Sequence, residues 1–320
     1  MAGVRGRGAI ILAALVVWSA AAAAKPSRAA LDLVRGMTHP TRVGVDRHDA
    51  FWVWDALNGT ISRTTPAGEH SSVTIDDDVR ELDADSDRGA VVLTKSGDGV
   101  RVIGWDAKVI KSFTLPFTAG AVAWLDGDEI AVAPRMSGFL AEVWNAKTGA
   151  RVRQIGAVPA IERPKRGAVA QRTTLLHYDA ARHEVLTFDA FNGTLVVFDA
   201  RGQELRRASI VHPDLAANRE FLRKLDMQAI RNGGSSMPTF SNYARLSVTS
   251  DGTVWLGERT GDEASVVIAK IARDGAVTRE TVRVPECNSV RFEVWQGMLV
   301  FFRDPESSLK QCVFLMEVKR

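Results

Sequence analysis

A unit of short strands recurs along this chain, and this repeat constrains the fold more than any other feature. The stretches DALNGTISRTTPAGE at 55–69 and DAFNGTLVVFDARGQ at 189–203 align without a gap. Each has Asn-Gly between apolar runs, which is typical of a β-hairpin because turn positions with φ > 0 favour these residues. Related hairpins are found at residues 90–105, 129–144, 253–271 and 298–318. The chain therefore repeats one strand–turn–strand element six times.

Each hairpin follows another short strand, and most are followed by a further turn and strand. Four strands in steps of about 40–45 residues are the signature of a β-propeller blade. The sequence thus predicts an all-β protein, a six-bladed β-propeller with four-stranded antiparallel blades, formed by residues 25–320. The two similar stretches would then belong to blades 1 and 4, three steps apart.

The last repeat ends without a fourth strand, and residues 30–36 (ALDLVRG) are predicted to supply it, since a propeller hides its edges by closing the ring. Two connections between blades are long, at residues 156–171 and 212–242. Apolar residues near helical spacing in the second predict one helical insertion between blades 4 and 5. Both insertions should emerge on the face where the innermost strand of each blade begins.

Residues 1–24 have the order of a secretory signal peptide: two arginines, a short apolar run and small residues. We expect cleavage after Ala24 and a secreted or periplasmic protein, with a retained anchor as the alternative. Removing the two arginines leaves 39 basic against 38 acidic residues. This balance gives no reason to expect nucleic acid as a partner, and no later segment is apolar enough to be transmembrane.

Residues 43–69 and 246–258 resemble blades of the six-bladed NHL-like and SMP-30-like propellers. That group includes lactone hydrolases, lyases and secreted binding proteins, so the resemblance implies the fold and leaves the function open. Its lactone hydrolases hold a divalent metal in the central channel through Glu, Asn and Asp side chains. The matching positions here are incomplete, because blade 1 has Arg42 instead of an acid; they offer Glu81, Asn242, Glu286 and Asn288.

Arginine recurs near the beginning of the innermost strands, where ring geometry brings the blades together. Converging guanidinium groups suit carboxylates, sulfates or phosphates, which they bind in a bidentate manner. The alternative is ordinary surface charge in an arginine-rich chain. The candidate ligand-binding residues are Arg42, Arg80, Arg172, Asn242, Arg245 and Asn288.

The turn DADSDRG in blade 2 spaces Asp83, Asp85 and Asp87 two apart before a glycine. This resembles calcium loops, in which alternate oxygens wrap a hard cation, although the glycine is one place late. A divalent cation such as calcium is therefore a candidate, with a solvated acidic turn as the alternative. The sequence requires no cofactor.

The two cysteines, Cys287 and Cys312, are both expected at the same end of the last blade. An oxidising compartment would favour a disulfide between them, and the alternative is two separate buried thiols.

The leading function is a binding or scaffolding module for a protein, peptide or anionic ligand on the insertion face. The alternative is a metal-dependent hydrolase or lyase, lactonase-like, with its site in the central channel.

Overall fold

The structure is a computed structural model that describes residues 37, 40–84, 88–158, 173–212, 216, 220, 224, 243–259, 265–283, 291–295, 298–302 and 313–317. It consists of antiparallel sheets in which strands adjacent in sequence are adjacent in space. Within the described part of the chain, no helix has the length and apolar character needed to cross a membrane.

Five blades have four strands each, and the first three are continuous in sequence. Their strands are β1 (Pro40–Val45), β2 (Phe51–Asp55), β3 (Thr60–Thr64), β4 (His70–Thr74), β5 (Val79–Asp83), β6 (Gly89–Thr94), β7 (Gly99–Gly104), β8 (Val109–Thr114), β9 (Ala119–Trp124), β10 (Glu129–Pro134), β11 (Phe139–Asn145) and β12 (Arg151–Ala157).

The two further blades and a smaller sheet follow. Their strands are β13 (Thr174–Asp179), β14 (Glu184–Asp189), β15 (Thr194–Asp199), β16 (Glu204–Ser209), β17 (Tyr243–Val248), β18 (Val254–Arg259), β19 (Ser265–Ile271), β20 (Val277–Arg283), β21 (Arg291–Trp295), β22 (Met298–Phe302) and β23 (Val313–Glu317). The inner strands β1, β5, β9, β13, β17 and β21 contact one another in this order, and β21 also contacts β1.

The prediction of six four-stranded blades is corrected to five among the described residues, where the sixth sheet consists of β21, β22 and β23. Its fourth strand was expected from residues 30–36, which lie outside the described residues. The predicted helical insertion is also not shown. Ala216, Glu220 and Lys224 have helical backbone, but a helix needs consecutive hydrogen-bonded turns, and no helix with bounds is found among the described residues.

The similar stretches of blades 1 and 4 form the same turn, but not the two-residue turn that Asn-Gly favours. Four residues separate the paired Asp55 and Thr60, and of these only Gly59 has positive φ, at 63°. Asp55 closes the loop by accepting a 2.8 Å hydrogen bond from the Asn58 amide group. Asp189 and Asn192 repeat this contact at 2.9 Å. The spacing shared by the two blades therefore encodes an aspartate-capped loop.

The core lies between neighbouring blades. Trp52 and Trp54 pack with Leu82 between blades 1 and 2, and Trp124 and Trp144 pack between blades 2 and 3. All four tryptophans are at most 7% exposed, as expected for side chains that pack between blades. The outermost strands alternate between exposed and half-buried residues, as expected for a sheet edge in contact with water.

Candidate functional site at the channel entrance

The inner strands surround a channel, and its entrance is the end at which these strands begin. In blades 1, 2, 3 and 5 the inner strand has a register shift within its first three residues. The inner strand of blade 4, β13, pairs with β14 without a shift. Bulges of this kind bend a strand and change the direction of its side chains. The entrance is therefore lined by irregular backbone in four of the blades.

Two of the predicted arginines, Arg42 and Arg80, meet at this entrance. Arg42 Nε donates a 2.6 Å hydrogen bond to the carbonyl oxygen of Arg80, which lies at the bulge of β5. Arg80 in turn donates from Nε and Nη2 to the carbonyl oxygen of Lys95, at 3.0 and 2.5 Å. A carbonyl is neutral, so these contacts position the Arg80 guanidinium without cancelling its charge.

A third arginine, Arg135, belongs to the same place and was missed by the sequence analysis. It follows β10, and its backbone N–H donates to Thr118 at the beginning of blade 3. A Cβ at Gly120 of β9 would lie 3.6 Å from Arg135 Nε, so the absence of a side chain there leaves room for the guanidinium. Burial, and next the positive charge of Arg80, lower the pKa of Arg135 to about 10.

The signal that could have revealed Arg135 is its place in the repeat. The turn after the second strand emerges at the same end of a blade as the beginning of its first strand. Blades 2 and 3 have a basic residue directly after the second strand, Lys95 and Arg135, and blade 5 ends this strand with Arg259, whereas blades 1 and 4 have Ala56 and Ala190 directly after it. The sequence analysis considered only the first strands.

The remaining predicted arginine among the described residues, Arg245, forms an ion pair on the inner strands. Its Nη1 donates a 2.8 Å hydrogen bond to Glu81 Oε1, and the two side chains are 15% and 17% exposed. Glu81 belongs to blade 2 and Arg245 to blade 5, so the ion pair crosses the channel. An enclosed cavity of only 20 Å³ lies beside the pair, bounded by Leu175, Leu176 and other residues of the inner strands. The pair therefore narrows the channel behind the entrance.

The predicted calcium loop has a structural role at its first residue. Asp83 is 9% exposed and accepts a 2.6 Å hydrogen bond from the backbone N–H of Trp124 in the neighbouring blade. Asp85 and Asp87 lie outside the described residues. Among the residues that are described, no cluster of three metal-ligating side chains is found.

Several predicted residues have no described position. They are Arg172, Asn242, Glu286, Asn288 and the cysteines Cys287 and Cys312. The disulfide and the remaining members of the channel set therefore stay predictions. Glu81, the described member of that set, binds a guanidinium, and this partner competes with a metal ion for the carboxylate.

The arrangement at the entrance can hold an anion. Arg80 and Arg135 come from neighbouring blades, each partly withdrawn from water, and burial lowers the pKa of both, although the negative charge of Glu81 acts in the opposite direction on Arg80. Guanidinium groups in such a setting hydrogen-bond strongly to carboxylate, sulfate or phosphate.

Comparison with solved structures shows the fold. The chain is similar to virginiamycin B lyase from Staphylococcus aureus, with 12% identity, coverage of 89% of this chain and 86% of that chain, and a TM-score of 0.56. It is also similar to a putative exported protein from Bacteroides fragilis, at 10% identity, 89% and 91% coverage and a TM-score of 0.58.

A third similar structure is the β-propeller domain of Cps50 (Swd1) from Myceliophteria thermophila, with 11% identity, 88% and 96% coverage and a TM-score of 0.54. No protein-family model matches the chain, and no curated protein matches it in sequence. At these identities the neighbours establish a β-propeller and do not establish an activity. The predicted membership of the NHL-like or SMP-30-like group stays a prediction.

Proposed function

We propose that this protein is an exported β-propeller that binds an anionic ligand, such as an acidic peptide or a small polycarboxylate, at the channel entrance. The observation that carries the proposal is that Arg80 and Arg135, from neighbouring blades, lie close enough at the entrance for the charge of Arg80 to lower the pKa of Arg135, beside the glycines Gly97 and Gly120.

The electrostatics of this pair favour an anion. Two like charges that are partly desolvated repel each other, and an anion between them removes that repulsion while accepting several hydrogen bonds. Arg42 supports the site by binding the carbonyl oxygen of Arg80 at 2.6 Å. A bound carboxylate would therefore meet arginines whose positions are already fixed, which reduces the entropy lost on binding.

The long connections support a larger ligand such as a peptide. They lead from β12 to β13 and from β16 to β17, so both leave and rejoin the propeller at the entrance end. Long connections in a compact repeat are commonly functional. The binding face is therefore the insertion face, at the channel entrance.

Export is part of the proposal. Residues 1–24 have signal-peptide character, and one propeller neighbour is described as a putative exported protein. A retained N-terminal anchor would place the same binding face outside the cytoplasm.

The decisive experiment is calorimetric titration of the purified full chain at low ionic strength with citrate and with a short Asp/Glu-rich peptide. Saturable binding is expected to one of these probes. Arg135→Gln should weaken it tenfold or more, because a hydrogen bond to a charged group contributes about 1.5–3 kcal/mol. The matched control is Arg201→Gln in an exposed turn of blade 4, which should leave the affinity unchanged.

Two results would overturn the proposal: no saturable binding of either probe, or equal affinity in the wild type and Arg135→Gln. The alternative function is a metal-dependent hydrolase or lyase, and virginiamycin B lyase is among the similar structures. Stoichiometric metal in the purified protein, with turnover of a lactone or ester, would favour that alternative over a binding module.

A further inference from the structure

A larger cavity, which is widely open to solvent, lies at the opposite end of the channel, here called the exit, where the inner strands end. Its volume is 430 Å³, and it lies between the turns that join the first and second strands of blades 1, 4 and 5. Cavities of about 300–1,000 Å³ are typical of small-molecule sites. The exit cavity is therefore large enough to hold a ligand, and it is separated from the entrance by the Arg245–Glu81 pair.

The charged groups of the exit cavity are matched in sign. Arg182 Nη1 lies 2.8 Å from Asp179 Oδ2, and Arg47 Nη2 lies 3.5 Å from Asp126 Oδ1. Each arginine thus has an aspartate beside it; Asp179 lines the cavity, whereas Asp126 contacts Arg47 from outside the lining. An anion would approach these carboxylates and a cation would approach these guanidinium groups, so neither is favoured.

The polar groups are also fixed in position. Arg182 Nη2 donates a 2.6 Å hydrogen bond to the carbonyl oxygen of Ser250 in blade 5. A Cβ at Gly252 would lie 2.9 Å from Arg182 Cζ, so the guanidinium packs directly against this glycine. Asp179 accepts a 3.1 Å bond from the backbone N–H of Ala181 as well. These contacts link the turns of blades 4 and 5 into one rigid wall.

His177, on strand β13, also borders the cavity. Burial first, and then the positive charge of Arg245, lower its pKa to about 4, although Asp179 acts in the opposite direction. The imidazole is therefore neutral at pH 7 and offers one donor and one acceptor.

We propose that the exit cavity binds a small neutral polyol, such as a monosaccharide unit. A hydroxyl group donates and accepts at once, so vicinal hydroxyls match a wall that holds guanidinium donors beside carboxylate and carbonyl acceptors. The cavity is also lined by Ala180, Ala181 and Val248, which suit the C–H surface of a sugar ring. The described lining contains no Phe, Tyr or Trp, and we therefore expect millimolar affinity.

The test is saturation-transfer NMR on the full chain with glucose, galactose, N-acetylglucosamine and trehalose. Transfer is expected to at least one sugar. Ala181→Phe, which fills the cavity without changing charge, should abolish the transfer, and so should Ser250→Leu. Ala200→Phe, in an exposed turn outside the cavity, is the matched control and should retain it.

Thermal melting shows whether each variant is folded. Two cavity variants are used so that the test can still be read if one of them does not fold. Absence of transfer to every sugar in the wild type would overturn the proposal, and so would undiminished transfer in both folded cavity variants. Arg135→Gln should leave the sugar signals intact. The proposal of a sugar site and the proposal of an anion site can therefore be refuted independently.

Discussion

The arginines at the two ends of the channel have different kinds of partner. At the entrance, Arg42 and Arg80 bind backbone carbonyl oxygens, and Arg135 approaches Arg80 closely enough for the two charges to interact. At the exit, Arg182 and Arg47 each have an aspartate partner. The same residue type therefore binds backbone carbonyl oxygens at one end and pairs with carboxylates at the other. The difference depends on partners, which composition does not reveal.

Disrupting the Arg245–Glu81 ion pair should have the largest effect on stability and on anion binding. Glu81→Gln leaves Arg245 as a largely buried cation without its carboxylate, and we expect a loss of about 2–3 kcal/mol in the free energy of unfolding. The same change extends positive charge into the channel, so citrate should bind more tightly at the entrance. Urea denaturation and calorimetry measure the two effects.

The double variant Glu81→Gln/Arg245→Gln provides the matched comparison, since it removes both charges. Its stability should lie above that of Glu81→Gln. If Glu81→Gln is as stable as the wild type and binds citrate equally, the pair does not separate the two ends.

The exit end should make stability depend on pH through His177. Its pKa is about 4 in the folded protein, against an ordinary value of 6.5, so the unfolded state binds more protons between these values. This contribution to stability is complete above about pH 6.5 and is lost as the pH falls to about 4, by roughly 2–3 kcal/mol. His177→Gln should remove this part of the acid sensitivity.

Chemical denaturation at pH 7 and pH 4.5 measures the difference. His70→Gln, an exposed histidine on β4, serves as control and should follow the wild type. If the wild type and His177→Gln lose equal stability between the two pH values, the pKa of the His177 imidazole is not lowered by folding.

The smallest expected effect concerns the wall of the exit cavity. Gly252 and Gly275 have nearly the same φ, 85° and 88°. A Cβ would lie 2.9 Å from Arg182 at the first and would meet nothing within 4 Å at the second. Alanine at either site imposes a backbone cost of about 1–2 kcal/mol, and Gly252→Ala should cost about 1 kcal/mol more because the guanidinium must move.

Thermal unfolding of the two glycine variants gives this difference directly. Equal melting temperatures would mean that the Arg182 guanidinium moves aside without a loss of stability, and that the wall is less rigid than its contacts indicate.

The sequence was sufficient for the features that each repeat encodes by itself. The similarity of residues 55–60 and 189–194 predicted equivalent turns, and Asp55 and Asp189 make the same contacts. This outcome depends on local spacing, which is visible in one repeat.

Contacts across the ring were not predictable in the same way. Glu81 and Arg245 meet because blades 2 and 5 lie on opposite sides of the channel, and their pairing depends on the closure of the whole ring. Arg135 was missed for a related reason, since it approaches Arg80 only after two blades are side by side. The exit cavity depends on three turns that are far apart in sequence.

The Arg245–Glu81 pair also has a consequence for the order of folding. Its partners are 164 residues apart, so the pair can form only after several blades have assembled and the ring has taken shape. An interaction made that late is absent from an early transition state, and it then slows unfolding more than it speeds folding. We therefore expect removal of the ion pair to speed unfolding while the rate of folding stays almost unchanged.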